Sequence, residues 1–315
     1  AFHKASATHS GSFNTWTSIR KCITKQGVTA EIKEEVVNKV RMEVDGFLRL
    51  NVIPCRDFRA FLGRCVCIAG LIHVWRPFVG MMWAPLNTPQ SQGRAPRNCI
   101  WRRSVEVPLL WCRAFLHGEA GTLKREFSLS AYLDLAMKIS IVMDASPWGL
   151  GAILIINGII REYFHSRLTK HDSKILGHAI GSCEGQQAFE ALVMLVALRL
   201  WAPVWKDKRV LLAVRSDSVS ALTILLKFKS SGDAPSIAAR ELALDVAGGV
   251  YVPNVVERVP GVANTISNVL YRWYQLKNMG KLTLPPVLKS ALRRDCPDRP
   301  RGWWRSLRPI QAISR

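Results

Sequence analysis

The sequence predicts a mixed α/β fold, a sheet flanked by helices in the order βββαβααβα, preceded by a smaller, mainly helical domain. Short β-branched runs alternate with apolar helical segments in the second half of the chain, whereas the first half shows helical periodicity. A chain of 315 residues is long enough for two domains that each bury a core. We therefore divide it into a polar leader or fragment end (1–27), a mainly helical segment (28–130), an α/β domain (131–278) and a basic, flexible tail (279–315).

Helical periodicity dominates the first half. Apolar side chains recur at helical spacing from Val28 to Leu50, with acidic residues in the first turn. A turn at Asn51–Pro54 leads to a second predicted helix that ends near Pro77, and residues 87–98 have the Pro, Gly and Asn content of a loop. The Trp-rich stretch from Ile100 to Leu116 completes the helical segment.

The second half alternates strands and helices. Its longest helix is apolar nearly all round, which predicts a buried helix. Its last strand contains Pro253, which favours an edge position because proline cannot donate a hydrogen bond to a neighbouring strand. In chain order we predict strands at 139–146, 152–158 and 159–165, a helix at 185–201, a strand at 208–217, helices at 218–228 and 236–247, a strand at 250–259, and a last helix from residue 260.

The chain is strongly basic, and its charge is unevenly distributed. Lys and Arg number 44 against 23 Asp and Glu, which gives a net charge of +21. The excess is +10 over residues 1–130, +4 over 131–278 and +7 over 279–315. A nearly balanced middle between basic flanks favours a nucleic-acid partner, because basic side chains that neutralise phosphates release counterions.

Apolar runs and cysteines bear on the compartment. The longest apolar candidate, Ala191–Leu198, has the length of a buried helix, and the N-terminus lacks the apolar core of a signal peptide. The eight cysteines form no CxxC pair, and Cys65-x-Cys67 followed by His73 lacks zinc-finger spacing. We expect no membrane association, no zinc and no disulfides, and an intracellular protein, nuclear or cytoplasmic and not secreted.

Three carboxylates stand in otherwise apolar surroundings. Asp144 and Asp217 each end an apolar strand, and Glu190 is the only charged residue from 185 through 198. A buried, unpaired carboxylate is destabilising, strand ends of an α/β sheet form ligand crevices, and Mg²⁺ prefers oxygen ligands. These residues therefore predict a magnesium site. In the alternative interpretation the two aspartates are helix N-caps and Glu190 lies on a helix surface.

The segments that contain these carboxylates resemble the ribonuclease H domain of a retroelement reverse transcriptase. MDASPWGLGAIL is similar to the family's first strand and hairpin, and FEALVMLVALRLW to the helix that carries its catalytic Glu. VRSDSVSAL is similar to the strand end with the next Asp, and VPGVANTISNVLYRW looks like the last helix. The motifs follow the family's order from about Ser130 to Lys277.

The resemblance implies hydrolysis of the RNA strand of an RNA–DNA hybrid with two Mg²⁺ ions. Asp144 would bridge both ions, with Glu190 and Asp217 on either side. Asn268 stands where the family has a fourth carboxylate, and Arg258 where it has a histidine. An amide oxygen can ligate Mg²⁺ but carries no negative charge and cannot act as a base. The resemblance thus implies a catalytic set that includes Asn268, in an enzyme that is either fully active or weakened.

The upstream segment DFRAFLGRCVCIAGLIHVWRPFVGMMWAPL resembles the thumb or connection region of retroelement reverse transcriptases. No Tyr-x-Asp-Asp polymerase signature occurs in the sequence, so we expect the polymerase to be an upstream domain of the same polyprotein. One alternative function is a catalytically inactive, ribonuclease H-like remnant that binds nucleic acid. Another is an actin- or sugar-kinase-like ATPase, which would need a second Gly-rich phosphate loop that VRSDSVSAL does not offer.

Overall fold

The computed structural model describes residues 19–24, 27–87, 95–128, 136–208, 210–252, 255–275 and 281–307. Most of the predicted polar leader, part of the predicted loop at 87–98 and the last eight residues of the predicted tail lie outside these ranges. The described residues form a mainly helical N-terminal part, a six-stranded sheet with helices packed on it, and a C-terminal segment.

The N-terminal part is mainly helical and also contains two small antiparallel sheets, one of β1, β2 and β5 and one of β3 and β4. Its elements are β1 (Ile19–Thr24), β2 (Gly27–Ile32), α1 (Glu34–Arg49), β3 (Val52–Pro54), α2 (Cys55–Leu71), α3 (Arg76–Asn87), β4 (Cys99–Trp101), α4 (Arg102–Leu116) and β5 (Lys124–Ser128).

Two predicted boundaries in this part are wrong. The first helix begins at Glu34, later than predicted, because Gly27–Ile32 pairs with a strand on each side. The second helix ends at Leu71, and a 3₁₀ turn at His73–Trp75 leads directly into α3. Pro77 lies in the first turn of α3, where a helix needs no N–H donor, so it stands at a helix start and not at a helix end.

A mixed sheet of six strands forms the centre of the C-terminal part. Its strands are β6 (Met137–Ala145), β7 (Gly149–Ile156), β8 (Ile159–Arg167), β9 (Val210–Ser216), β10 (Val255–Arg258) and β11 (Leu292–Arg293), in the spatial order β10-β9-β6-β7-β8-β11. Strands β6, β7 and β8 form an antiparallel meander, whereas β9 is parallel to β6 and β10 is parallel to β9. The helices are α5 (Lys170–Leu176), α6 (Gln186–Trp205), α7 (Val219–Lys227), α8 (Asp233–Ala247) and α9 (Thr265–Arg272).

This order of strands and helices confirms the ribonuclease H-like mixed α/β fold. Three antiparallel strands precede α6, and each of the two following strands is parallel to its inner neighbour and is reached through helices. The short helix α5 was not predicted. Strand β10 ends the sheet on one side, which is the edge position predicted for the strand near Pro253, although residues 253 and 254 themselves lie outside the described ranges.

Helix α6 is the central helix of the hydrophobic core. The segment Cys183–Trp205 is long and apolar enough to cross a membrane, but 67% of its most apolar stretch is buried inside the protein, as in a core helix. The same core includes Trp75 and Phe78 of the N-terminal part, which packs against α8. The boundary predicted near residue 130 is therefore not a break in the core. Cysteines 55, 65, 67, 99, 112, 183 and 296 are free thiols.

Residues 281–307 pack against the main sheet and its helices, so the prediction of a flexible tail is wrong for this segment. Strand β11 pairs with β8, and Trp304 is fully buried. Arg299 donates hydrogen bonds of 2.8 and 2.9 Å to Asp172, and both side chains of this pair are buried. A segment rich in Pro and Arg has no periodicity to reveal such anchors, because they are contacts with distant parts of the chain.

Candidate active site

Asp144 and Asp217 lie side by side at one end of the main sheet. Asp144 is the next-to-last residue of β6, and Asp217 directly follows β9. The two strands are parallel and pair Val142 with Arg215. The aspartates, each two residues further along its strand, therefore lie together at the carboxyl-terminal end, where sheets of this kind bind ligands.

Asp144 is a buried carboxylate whose ionised form is disfavoured by its surroundings. It is 5% exposed, and the Ala145 N–H donates a 2.7 Å hydrogen bond to it. Burial, then the negative charge of Asp217 and, less strongly, that of Glu190 raise the pKa of Asp144 to about 7. The Ala145 N–H and the charge of Arg272 act in the opposite direction. The three predicted carboxylates are therefore close enough to influence one another.

Glu190, in the second turn of α6, is tied to both strand ends. Gln186, one turn earlier, donates from Nε2 to Glu190 Oε1 at 3.0 Å and to the Ala145 carbonyl at 2.8 Å. The Ser218 hydroxyl donates to Glu190 Oε2. Because Ala145 and Ser218 directly follow the two aspartates in sequence, these bonds hold Glu190 between them.

The alternative interpretation, in which the two aspartates are helix N-caps and Glu190 lies on a helix surface, does not agree with the structure. Ser218 is the N-cap of α7, since its hydroxyl accepts the Ala221 N–H at 3.2 Å, so Asp217 does not fill that role. Asp144 precedes the hairpin between β6 and β7 and not a helix. Glu190 is partly buried and hydrogen-bonded through both oxygens.

Helix α9 packs against β6 and β7 beside the strand end. The side-chain amide of Asn264 donates to the Met143 carbonyl at 3.3 Å. Gly151 allows this close approach, because a Cβ at this position would lie 2.6 Å from the Cβ of Leu270. The glycine in the hairpin therefore positions the last helix next to the carboxylates.

Asn268 lies on the Asp217 side of this site. Its Nδ2 donates to the Gly261 carbonyl at 2.9 Å, and a Cβ on Gly261 would lie 3.1 Å from Asp217 Oδ2. The contact with Gly261 places Asn268 near the cluster. That Asn268 is a fourth metal ligand stays a prediction. Arg258 is exposed at the end of β10, where it pairs in register with Ser216.

Sequence reasoning missed four residues of this site. Gln186 and Ser218 orient Glu190, as described above, and the spacing of four residues between Gln186 and Glu190 was the available signal. Arg272 and Tyr271, at the end of α9, lie within the field of the carboxylates. Burial, and then the charge of Asp144, raise the pKa of Tyr271, while its hydrogen bond from Arg272 lowers it.

The carboxylates fit a hard divalent cation in their chemistry. They supply only oxygen atoms, and each Glu190 oxygen keeps a second lone pair beside its hydrogen bond. A cation between them would lower the pKa of Asp144 and stabilise its ionised form. Within the described ranges, however, no three His, Cys, Asp or Glu side chains are arranged so that they could hold a metal ion together. The three carboxylates are therefore neighbours with suitable chemistry and not a preformed metal site.

No protein-family model matches the chain, and no curated protein matches it in sequence. Among solved structures it is similar to ribonuclease H1 from the archaeon Halobacterium salinarum NRC-1, over 44% of this chain and 96% of that one, at 17% identity and a TM-score of 0.34. It is also similar to LC11-RNase H1, isolated from compost, over 46% of this chain and 99% of that one, at 14% identity and a TM-score of 0.33. A third similar structure is a foamy viral protease-reverse transcriptase in complex with an RNA/DNA hybrid. The similarity covers 79% of this chain and 30% of that one, at 13% identity and a TM-score of 0.25. These values are low, so the fold class rests on the strand order and connectivity given above.

Proposed function

We propose that this chain is a magnesium-dependent ribonuclease H that hydrolyses the RNA strand of RNA–DNA hybrids as part of a retroelement reverse transcriptase. The observation that carries the proposal is the cluster of Asp144, Glu190 and Asp217 at the carboxyl ends of two parallel strands. A buried carboxylate between two acidic neighbours destabilises the fold unless a cation offsets it. Such clusters are typical of functional sites.

The three carboxylates would hold the metal. Bound there, Mg²⁺ supplies an activated water and neutralises phosphate charge during phosphodiester hydrolysis. Gln186 and Ser218 hold the carboxylate of Glu190 in place before any ligand binds, as the hydrogen-bonding partners of a metal ligand do. The exposed guanidinium of Arg272, whose charge reaches Asp144, is available to a phosphate beside the site.

A nucleic-acid-binding protein without catalysis is the second candidate, and Asn268 favours it. The three carboxylates carry −3 against the +4 of two Mg²⁺ ions, where a fourth carboxylate would bring −4. The amide of Asn268 instead donates to the Gly261 carbonyl and adds no charge. On this reading the net charge of +21 holds the nucleic acid, and the site no longer cleaves it.

The test is cleavage of an RNA–DNA hybrid by the full chain and by Asp144→Asn, with Mg²⁺ and with chelator. We expect magnesium-dependent cleavage by the parent and none by the variant. Asp207→Asn is the matched control, since Asp207 is exposed, distant from the site along α6, and has a φ of 61° that Asn adopts readily. Cleavage by Asp144→Asn at the parental rate would place the site elsewhere. A parent that binds the hybrid without cleaving it would favour the second candidate.

A further inference from the structure

A cluster of arginine and aromatic side chains borders the carboxylates. It is formed by the end of β8, the chain just after α9 and strand β11 of the C-terminal segment. We call it the arginine–aromatic patch and define it by Arg167, Trp273, Tyr274 and Arg293. At its centre lies His165, which is buried.

The aromatic rings of this patch are fixed by direct contacts. The Nδ1 atom of His165 lies 2.8 Å from the Tyr274 hydroxyl, and its ring stacks on Trp273 with centroids 5.1 Å apart and planes at 29°. Burial, and then the charge of Arg293, lower the pKa of His165 to about 4. The imidazole is therefore neutral near pH 7, and the positive charge of the patch comes from its arginines.

The two arginines reach the aromatic rings from different parts of the chain. The Arg167 guanidinium lies over the Tyr274 ring, 5.1 Å from its centroid. Arg293 is exposed on β11, and its charge contributes to the lowered pKa of His165. Burial raises the pKa of Tyr274, and the charges of Arg293 and Arg167 act against this rise. Asp295 is an acidic neighbour of His165, but the two arginines of the patch outnumber this one carboxylate, so the patch is basic on balance.

The C-terminal segment is what brings Arg293 to this place. The N–H of the next residue, Arg294, donates to the Tyr163 carbonyl at 2.8 Å, which fixes β11 beside β8. Further along, the buried pair of Arg299 and Asp172 anchors the segment. Arg293 is therefore held in position and does not belong to a loosely attached tail.

Direct contacts connect the patch to the carboxylate site. The Ser146 hydroxyl, two residues after Asp144, donates to the Tyr271 carbonyl at 3.3 Å. A Cβ on Gly149 would lie 2.9 Å from the Tyr274 ring. The hairpin that begins at Asp144 thus packs directly against the chain that carries Trp273 and Tyr274.

We propose that the arginine–aromatic patch binds the sugar–phosphate backbone of the hybrid as it extends away from the carboxylates. The inference rests on the proposed function for the identity of the nucleic acid. Exposed guanidinium groups form paired hydrogen bonds with phosphate, and an aromatic ring beneath Arg167 restricts its motion before binding. The charge of the patch therefore favours a polyanion as its ligand. Because the patch lies beside the carboxylates, that polyanion is the hybrid bound at the same site.

The test measures hybrid binding by fluorescence anisotropy in chelator, where no cleavage occurs, over a series of salt concentrations. Arg167→Gln and Arg293→Gln should each reduce the slope of log K against log salt by about 0.9, since each removes one phosphate contact. The double variant should lose about twice as much. Lys206→Gln is the matched control, because Lys206 is exposed at the far end of α6, about 24 Å along the helix from Glu190.

The outcomes separate this proposal from the proposed function. Reduced slopes in both arginine variants with an unchanged slope in Lys206→Gln support the patch. Arginine variants that match Lys206→Gln while the parent binds and cleaves the hybrid overturn the patch and leave the proposed function intact. If both arginine variants have reduced slopes but the parent binds the hybrid without cleaving it, the patch is supported and the nuclease is overturned. A parent without hybrid binding overturns both.

Discussion

Two acidic clusters in the described part of the chain, each with at least one buried carboxylate, are balanced in different ways. In the carboxylate site, Asp144 accepts a backbone N–H, and Glu190 accepts a side-chain amide and a hydroxyl. In the second cluster, beneath the C-terminal segment, Glu241 and Asp245 each bond Arg199 at 2.6 Å. The first cluster is therefore oriented by neutral donors, and the second is neutralised by a cation of the protein itself.

This difference distinguishes a cluster that stabilises the fold from the cluster on which the proposed function depends. Burial lowers the pKa of Arg199, but Asp245 and Glu241 outweigh it and raise the pKa well above its ordinary value, so the guanidinium at the centre of the second cluster stays protonated. It also accepts the backbone N–H groups of Arg305 and Ser306 and so anchors the C-terminal segment. Among the described residues, no Lys or Arg forms an ion pair with Asp144, Glu190 or Asp217 that resembles the Arg199 pairs. The proposed function assigns this neutralising role to an external cation.

Breaking the second cluster should have the largest effect on stability. Arg199→Met leaves Glu241 and Asp245 buried without their cation, so we expect the free energy of unfolding to fall by about 3–5 kcal/mol. Chemical denaturation measures this loss. Arg215→Met is the matched control, because the Arg215–Glu257 pair is exposed and should contribute no more than about 1 kcal/mol. Equal losses in the two variants would mean that the buried cluster has no special role in the fold.

The carboxylate site should show the opposite behaviour in the absence of metal. The pKa of Asp144 is 3.8 when unperturbed and about 7 in the folded protein. Between these values the folded state binds more protons than the unfolded state, so stability falls as pH rises. The penalty is absent below about pH 4, complete above about pH 7, and amounts to about 4 kcal/mol.

Thermal unfolding in chelator tests this pH dependence. Asp144→Asn should reduce the fall in Tm between pH 5 and pH 8, and at pH 8 its Tm should equal or exceed that of the parent. Asp207→Asn, an exposed change of the same kind, should follow the parent at both pH values. Parallel pH profiles for Asp144→Asn and the parent would show that Asp144 is not strained by its acidic neighbours.

Removing a neutral donor from the carboxylate site should have a smaller effect than removing Arg199 or Asp144. We expect this effect to be larger on activity than on stability. Gln186→Ala frees Glu190 from one of its two described side-chain donors, and we expect a loss of about 10–100-fold in magnesium affinity or cleavage rate. Gln187→Ala is the control, because Gln187 is the exposed neighbour on the same helix. A magnesium titration of cleavage distinguishes them. Identical titration curves for the two variants would contradict a positioning role for Gln186.

The sequence revealed those parts of the site that depend on local contrast. Asp144, Glu190 and Asp217 each stand out as a charge in an apolar segment, and the structure places them at neighbouring positions. Gln186 and Ser218 gave no such contrast, because polar residues at helix starts are common. Their role depends on bonds to partners 41 and 28 residues away, which no local pattern encodes.

The same distinction explains which elements of the fold were predicted. The strands and helices around the carboxylates follow local periodicity and were predicted in the correct order apart from the short helix α5, with bounds that differ by several residues. Strand β2 was assigned to a helix, although one of its two partners, β1, directly precedes it; the other, β5, lies about a hundred residues further along the chain. The C-terminal segment was expected to be flexible because its anchor, Arg299, pairs with Asp172 across 127 residues of sequence. Non-local pairing accounts for the second error and for only part of the first, because the pairing of β1 with β2 is local.

Asn268 should give the smallest effect and the finest test of the comparison. The amide of Asn268 now donates to the carbonyl of Gly261, a residue that lies against Asp217. An aspartate at position 268 would therefore add a fourth negative charge beside Asp217. Asn268→Asp should lower the Mg²⁺ concentration needed for cleavage and raise the rate, on the order of tenfold or less, equivalent to about 1.4 kcal/mol. Asn268→Ala should lower the rate below that of the parent, because it removes the amide oxygen as a ligand.

Stability without metal provides the control for Asn268→Asp. The variant loses the donor to the Gly261 carbonyl and gains repulsion from Asp217, so it should unfold at a lower temperature than the parent in chelator. Added Mg²⁺ should restore its Tm by more than it raises that of the parent, since at a given concentration a ligand that binds more tightly stabilises the folded state more. Identical magnesium curves for the parent and Asn268→Asp, in cleavage and in Tm, would remove Asn268 from the site. The carboxylate cluster would then be a three-ligand site whose missing charge must come from the substrate phosphate.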